Sequence, residues 1–170
     1  MLERKTLSND LVKLIPMIKN DYEWVFAVAS DPEIWAQHPD STRYTPVGFT
    51  RYFQKLMDTD IPYLILDAKT EQVIGATSFY QYDRHEKSVA IGYTFLAKEY
   101  WGGKYNQSVK NLMMDFAFEK LEKVIFHVAA DNLRSQKALE KIGAIKENEY
   151  EESGMPKYTF AIFKKSYLGQ

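Results

Sequence analysis

The chain has 170 residues, contains no cysteine, and balances 22 basic against 23 acidic side chains for a formal net charge of −1. The absence of cysteine excludes a cysteine nucleophile, a thiolate metal site and a disulfide framework. The nearly neutral charge argues against a nucleic-acid partner, because such binding depends on many phosphate contacts. The length predicts a single domain over residues 1–170.

Further expectations concern membranes, metals and assembly. Residues 1–5 lack the apolar core of a signal peptide, and no apolar run is long enough to span a membrane. We therefore expect a cytoplasmic protein with no membrane partner. No histidines and carboxylates have the spacing of a metal site, so no metal is expected. The sequence is compatible with either a monomer or a homodimer.

The first half of the chain predicts one strand and several helices. Asparagine and aspartate are suited to cap a helix start, and proline fits the first helical turn because its missing N–H would be unpaired there. In chain order, we predict a strand over 11–15 ended by Pro16, a helix from Asn20 or Asp21 through Val28, a short helical turn over 33–37 and a helix from about Pro46 to Met57.

In the second half, the apolar period changes to two, which is typical of strands. We predict strands over 61–66, 73–80 and 88–96, a helix over 105–121, a strand over 123–130, a helix over 133–142, and strands over 145–150 and 157–164. The first three of these strands have the spacing of an antiparallel meander. The mixed order predicts an α+β (mixed α/β) fold with one central, twisted, mostly antiparallel sheet of six or seven strands flanked by helices.

The most informative segment is the loop from Trp101 to Asn106, WGGKYN, between a strand and a helix. Unpaired backbone amides at a helix N-terminus favour an anion, because the N–H groups and the helix dipole both attract negative charge. Glycine also lets a ligand approach the main chain without a Cβ in the way. A phosphate-bearing ligand is one interpretation of this loop, and a tight turn is the other.

Four features follow one another in order: Ile91–Leu96 (IGYTFL), residues 100–106 (YWGGKYN), Asn132-x-x-Ser135 and Lys141-x-Gly143. With this order and spacing, the chain resembles the GNAT superfamily of acyl-CoA-dependent N-acetyltransferases, in particular the branch that includes the ribosomal-protein N-terminal acetyltransferases. The resemblance covers nearly the whole chain. It implies a GNAT-like fold and acetyl-CoA as the co-substrate.

The resemblance also implies a role for each feature. The strand with Tyr93, Thr94, Phe95 and Leu96 is expected to carry a bulge, splay from the next strand and bind the pantetheine arm through unpaired backbone groups. The diphosphate is expected to lie against Trp101, Gly102, Gly103, Lys104, Tyr105 and Asn106. Arg134 and Lys137 are candidates to bind the 3′-phosphate, and solvated surface cations are the competing interpretation.

Asn132 and Ser135 each have two interpretations. By resemblance, Asn132 binds the pantetheine or aligns the thioester, but asparagine is equally suited to cap the following helix. Ser135 either donates a proton to the departing thiolate or satisfies a local amide.

The chain departs from the family pattern where acid–base chemistry is expected. Ala90 stands where the family often has a glutamate base, and Leu139 where it often has a tyrosine acid. His38, in a polar connecting segment, is our candidate for the missing base because its ordinary pKa suits the task; a surface-loop histidine is the competing interpretation. His127 lies within an apolar strand and is interpreted as a satisfied core residue.

The sequence thus predicts an enzyme with Ser135, Asn132 and His38 as catalytic candidates. It would move an acetyl group from acetyl-CoA to a primary amine, on a small molecule or a peptide, by direct attack in a ternary complex. The alternative is a catalytically weak acyl-CoA-binding module of the same fold. A third hypothesis, a nucleotide-phosphate binder of unrelated function, rests on the glycine loop alone.

Overall fold

The computed structural model describes residues 1–169, over which eight strands form a single sheet. The strands are β1 (Leu7–Ser8), β2 (Val12–Pro16), β3 (Ile61–Asp67), β4 (Val73–Asp83), β5 (Ser88–Leu96), β6 (Lys123–Ala129), β7 (Ile145–Glu152) and β8 (Met155–Phe163). The helices are α1 (Tyr22–Ala29), α2 (Pro32–Trp35), α3 (Pro46–Met57), α4 (Lys104–Ala117), α5 (Leu133–Lys141) and α6 (Lys164–Leu168). Short 3-10 turns lie at Lys19–Asp21 and Lys98–Tyr100.

The strand order is β1-β2-β3-β4-β5-β6-β8-β7, and every neighbouring pair except β5 with β6 is antiparallel. The predicted fold class is confirmed, with eight strands instead of six or seven. The additional strand is β1, whose two residues are too few to show a period. Helix α6 was not predicted, and α4 ends at Ala117 instead of residue 121.

Helices cover both faces of the sheet, and each face has its own apolar cluster. On one face, α4 and α5 pack against the strands through residues such as Val109 and Leu139. On the opposite face, α1, α2 and α3 pack through residues such as Val25 and Phe49. Successive residues of β3 enter the two clusters alternately, as the period of a strand requires.

Strands β5 and β6 separate soon after they begin. Their parallel pairing covers only residues 88–90 of β5 and 123–125 of β6. Strand β5 then continues to Leu96 and β6 to Ala129 without further pairing between them. The sheet therefore opens into a V-shaped gap, as the resemblance implied.

Within this gap, β5 carries a bulge. Ser78 of β4 pairs with Gly92, but Ala76 pairs with Phe95, so β5 contains one residue more than β4 over this interval. Tyr93 takes up the difference with a φ of +56°, which a non-glycine residue seldom adopts. The bulge interrupts the ladder next to the V-shaped gap and turns backbone groups away from their regular partners.

Candidate active site

Backbone amides at the start of α4 are free of internal hydrogen bonds. The Trp101 amide donates to the Lys98 carbonyl oxygen at 3.1 Å. By contrast, the amides of residues 102–106 have no hydrogen-bond partner within residues 1–169. The N-cap residue is Gly103, which has no side chain to cap them. This group of N–H donors, with the helix dipole behind it, can bind an anion.

The two glycines of the loop have different roles. Gly102 has a φ of +68°, in the left-handed region that favours glycine. Gly103 has a φ of −125°, which any residue can adopt. A Cβ at Gly103 would lie 4.0 Å from the carbonyl oxygen of Trp101 and within 4 Å of nothing else in the described chain. The fold therefore does not require glycine at 103, but its absent side chain leaves the amides accessible.

The side chains of the loop hold it against β5 and α4. The Trp101 Nε1–H donates to the Leu96 carbonyl oxygen at 2.8 Å. Tyr105 packs edge-on against Tyr100, with 4.8 Å between ring centroids. Lys104 and Asn106 are exposed, and over the described residues Lys104 has no carboxylate partner.

Two carbonyl groups of the bulged segment already accept hydrogen bonds. The buried Tyr52 hydroxyl donates to the Tyr93 carbonyl oxygen at 2.5 Å, and the Leu96 carbonyl accepts from the indole. The side chains of Phe95 and Leu96 are buried, whereas Thr94 is exposed. Phe95 and Leu96 thus anchor the segment in the core, and Tyr93 and Thr94 are its accessible part.

Helix α5 begins beside the end of β6. Asn132 caps it, because its side-chain oxygen accepts from the Ser135 amide at 3.1 Å; the capping interpretation is confirmed. The Gln136 side chain fixes the turn by donating to two carbonyl oxygens at the end of β6. Within residues 1–169 the Ser135 hydroxyl has no hydrogen-bond partner, and the exposed Arg134 and Lys137 have no carboxylate partner.

A polar cluster that was not predicted lies on β6, just after the last residue paired with β5. His127 Nε2 is 3.2 Å from Gln81 Oε1, and Nδ1 is 3.1 Å from the Tyr150 hydroxyl and 3.4 Å from the Thr159 hydroxyl. The ring also packs against Tyr80, with 5.8 Å between centroids. His127 is satisfied, as predicted, but it is half-buried and does not lie in the core.

The hydrogen bonds fix how the His127 ring is protonated. A carbonyl oxygen at Nε2 requires the proton there, so Nδ1 is free to accept from Tyr150. Burial, with a smaller contribution from Lys157, lowers the pKa of His127. The ring is therefore neutral at pH 7, and its Nδ1 is a proton acceptor. The alternation of β6 contained a signal for this position, because His127 lies between buried Phe126 and Val128 and so faces away from their side.

His38 lies on the connection between α2 and α3, near enough to β8 to feel the charge of Lys157. Its Nδ1 accepts from the Asp40 amide at 3.3 Å, and its Nε2 is 3.3 Å from Nη1 of Arg43. His38 is exposed as a residue, but partial desolvation of its ring, followed by the charges of Arg43 and Lys157, lowers the pKa of His38 to about 4. His38 is a much weaker base than an ordinary histidine.

The positions that depart from the family pattern lie in the interior. Leu139 is 1% exposed and packs in the α4–α5 cluster. Ala90 is fully buried, and its Cα partners are Tyr80 and Ile125. Neither side chain can exchange a proton, so any acid or base must come from elsewhere.

The cleft beside the bulge has a volume of about 310 Å³ and is lined by Lys55, Asp58, Thr59, Asp60, Tyr80, Gln81 and Tyr93. Over residues 1–169, no group of three or more histidine or acidic side chains is placed to hold a metal ion. In the same part of the chain, no helix is both long and apolar enough to cross a bilayer.

Comparison with known proteins identifies relatives of this fold. The family model for the acetyltransferase (GNAT) domain matches residues 12–145. Among solved structures, a GCN5-related N-acetyltransferase from Brucella melitensis superposes with a TM-score of 0.83 at 17% identity, over 98% of this chain and 81% of that chain. A GNAT-family acetyltransferase from Bacillus anthracis superposes with a TM-score of 0.74 at 18% identity, over 94% of this chain and 99% of that chain.

Spermidine N-acetyltransferase from Vibrio cholerae, solved in complex with CoA and spermine, has a TM-score of 0.71 at 17% identity, over 94% of this chain and 99% of that chain. Among functionally curated proteins, no sequence relative was found.

Proposed function

Because the chain belongs to the GNAT acetyltransferase family, we propose that it transfers an acetyl group from acetyl-CoA to a primary amine. The observation that carries this proposal is the set of unpaired amides at residues 102–106, next to the gap between β5 and β6. A diphosphate has several oxygens to satisfy, and several convergent N–H donors suit it. The open approach at Gly103 gives it access to these donors.

The rest of coenzyme A would lie along the V-shaped gap. The pantetheine arm would run beside the bulge at Tyr93 and Thr94 and pass the N-terminus of α5. Asn132 and Ser135 lie there, and the amide group of Asn132 not used in capping is free to contact the arm. Arg134 and Lys137 are exposed cations without carboxylate partners in residues 1–169, and they would bind the 3′-phosphate.

The chemistry we propose is direct attack in a ternary complex. The amine nitrogen bonds to the thioester carbonyl carbon, the carbon–sulfur bond breaks, and the thiolate leaves. The free hydroxyl of Ser135 would pass a proton to the leaving sulfur and recover one from solvent, so that coenzyme A departs as the thiol. Holding amine and thioester together is worth about 7–11 kcal/mol at best, so positioning can provide most of the rate.

The proton lost by the amine would pass to His127. Its Nδ1 accepts a hydrogen bond from the Tyr150 hydroxyl, which can relay the proton from the cleft. His38 remains a second candidate, but its pKa of about 4 makes it the poorer acceptor. Deprotonating an alkyl ammonium at pH 7 costs about 4–5 kcal/mol, and an α-amino group about 1 kcal/mol, so the demand on the base depends on the acceptor.

We propose an acceptor that is either a small-molecule amine or a protein N-terminus, the latter as in the ribosomal-protein branch that the sequence resembles. A catalytically weak acyl-CoA-binding module is the second candidate, and the replacement of two expected acid–base residues by Ala90 and Leu139 favours it.

Calorimetry with acetyl-CoA, followed by a thiol-release assay over a panel of amines and peptides, tests both candidates. Binding with turnover of at least one amine supports the enzyme. Binding without any turnover favours the module, and no heat at high micromolar acetyl-CoA contradicts both.

A further inference from the structure

Two neighbouring residues of β4, Tyr80 and Gln81, line the cleft and also contact the ring of His127. Tyr80 makes an aromatic contact, with 5.8 Å between ring centroids. Gln81 makes a polar one, with its Oε1 at 3.2 Å from Nε2 of the ring. Gln81 therefore joins the cleft to the imidazole through a hydrogen bond.

The backbone around Gln81 departs from a regular strand. Tyr80 pairs with Ala90 and Asp83 with Ser88, so β4 has two residues where β5 has one. Gln81 is the first of these two residues, and its φ of +53° lies in the left-handed region that a non-glycine residue seldom adopts. A bulge of this kind changes the direction of a side chain relative to a regular strand. The Gln81 side chain thereby reaches β6, although β5 lies between β4 and β6 in the sheet.

Strand β5 presents only a small side chain between the two residues. Ala90 is the Cα partner of Tyr80 on one side and of Ile125 on the other. His127 follows Ile125 by two residues, so strand alternation places it on the same face of the sheet as Ala90. Where the family often has a glutamate base, this chain thus has a methyl group, with an imidazole on the same face one strand away.

The groups at the other ring nitrogen do not decide where the proton of His127 lies. Nδ1 is within hydrogen-bond distance of the hydroxyls of Tyr150 and Thr159. A hydroxyl can either donate or accept, so it suits both tautomers of the ring. The side-chain oxygen of Gln81 can only accept, and it therefore selects the tautomer with the proton on Nε2.

We propose that Gln81 is a positioning residue, which keeps the proton of His127 on Nε2 and so leaves Nδ1 free to accept the proton lost by the amine. This inference rests on the proposed function, since it concerns the base of that same site. Gln81 acts through the ring, in the way that a group hydrogen-bonded to one nitrogen of a histidine fixes the role of the other nitrogen.

The first measurement is ¹⁵N NMR of the imidazole nitrogens, in protein labelled at its three histidines and at a pH where the His127 ring is neutral. Protonated and unprotonated ring nitrogens differ widely in chemical shift, so the spectrum shows which one carries the proton. The variant His127→Gln assigns the signals by their loss. We expect the proton on Nε2 of His127 in the wild type.

The second measurement is the titration of His127 in Gln81→Glu. This variant keeps an accepting oxygen and adds a negative charge, which stabilises the protonated ring. The charges of Lys157 and Glu152, which already act on the ring, stay in place. We expect the pKa of His127, followed by NMR, and the acidic limb of the profile of kcat against pH to rise by about one pH unit. Gln72→Glu adds the same charge at the other end of β4 and should change neither.

The third measurement separates positioning from a purely structural role. Gln81→Gly removes the side chain, and glycine adopts a φ of +53° readily, so the variant should fold at least as well as the wild type. We expect kcat to fall at least about tenfold, the factor of roughly one hydrogen bond, at an unchanged Kd for acetyl-CoA. Lys87→Gly is the matched control, because Lys87 is exposed and has a φ of +50°. If Gln81 served only the bulge, Gln81→Gly would keep full activity.

Three results overturn the inference: a proton on Nδ1 of His127 in the wild type, a His127 pKa that does not rise in Gln81→Glu, and a full kcat in Gln81→Gly. Failure of the proposed function is a separate outcome, which shows as an absence of acetyl-CoA binding or of turnover. The ring nitrogens are observed without either, so they decide whether Gln81 fixes the tautomer in both cases.

Discussion

The indole nitrogen of Trp101 donates a 2.8 Å hydrogen bond to the carbonyl oxygen of Leu96, which joins the glycine loop to the last residue of β5. The proposed diphosphate site and the proposed pantetheine site are thus linked by one bond. The indole itself remains 47% exposed. Its hydrogen bond therefore positions the loop more than it adds to the core.

Replacing Trp101 with phenylalanine removes this bond and keeps most of the apolar contact. We expect the Kd for acetyl-CoA to rise roughly fivefold, because a neutral hydrogen bond contributes about 1 kcal/mol. The unfolding temperature should change little. Calorimetry measures the affinity, with Trp24→Phe, on an exposed indole of α1, as the matched control. An unchanged Kd would show that the bond does not position the loop.

A substitution at Gly103 should change acetyl-CoA affinity without changing the stability of the fold. A methyl group there meets only an oxygen at 4.0 Å, so Gly103→Ala should unfold like the wild type. The same methyl group would stand in the open approach to the unpaired amides, so we expect acetyl-CoA affinity to fall about tenfold. Gly154→Ala should lose stability and keep its acetyl-CoA affinity, because a φ of +77° costs alanine about 1 kcal/mol while the residue lies in the β7–β8 turn and not in the glycine loop. Equal acetyl-CoA affinity in both variants would place the diphosphate elsewhere.

The features that could be predicted from sequence depend on local pattern. The apolar face of α4, the proline-started α3 and the alternation of the strands all follow from residues a few positions apart. The capping role of Asn132 is of the same kind, since it depends on the amide three residues later. The resemblance added the bulge and the gap between β5 and β6, for which the local pattern gave no signal.

The features that could not be predicted depend on contacts between distant segments. His127 became a candidate only when the fold brought Gln81 and Tyr150 to its two ring nitrogens. Arg43 in the sequence is one cation in a polar stretch, and its burial between two aromatic rings requires α2 and α3 to be in place. The low pKa of His38 has a similar origin, because partial desolvation of the ring and a lysine on β8 both contribute to it.

The Tyr52 hydroxyl donates to the Tyr93 carbonyl oxygen and so stabilises the bulge. Removing this hydroxyl should therefore weaken the binding of acetyl-CoA. Tyr52→Phe should cost about 1 kcal/mol of unfolding free energy and also raise the KM for acetyl-CoA. Tyr63→Phe is the matched control, because that buried tyrosine also donates to a backbone carbonyl, of Lys5, but away from the site. Denaturant unfolding and steady-state kinetics measure both effects. If the two variants lose stability equally and neither changes KM, the bulge does not depend on this bond.

His38 should make the stability of the fold depend on pH. Its pKa is about 4 in the folded state against 6.5 ordinarily, so between these values the unfolded chain binds a proton that the folded chain does not. Stability contributed by the neutral ring is therefore present in full above pH 6.5 and is lost as the pH falls towards 4. His38→Gln should lose less stability than the wild type over this interval. Urea unfolding at several pH values, with the exposed His85→Gln as control, measures the difference; parallel curves for wild type and His38→Gln would contradict it.

The protonation of His127 should determine the acidic limb of the profile of kcat against pH. Because burial lowers its pKa, the ring stays neutral to below pH 6.5, and kcat at saturating substrates should fall only at still lower pH, where Nδ1 becomes protonated. His127→Gln should reduce kcat by about 10²–10⁴ and remove this limb, since glutamine keeps a polar side chain but accepts no proton. Tyr150→Phe should lower kcat while leaving the limb in place, because it breaks the relay and not the base. His85→Gln, in an exposed turn, is the control. An acidic limb that survives in His127→Gln would show that another group accepts the proton. A limb that lies near pH 4 and disappears in His38→Gln would show that His38 is that group.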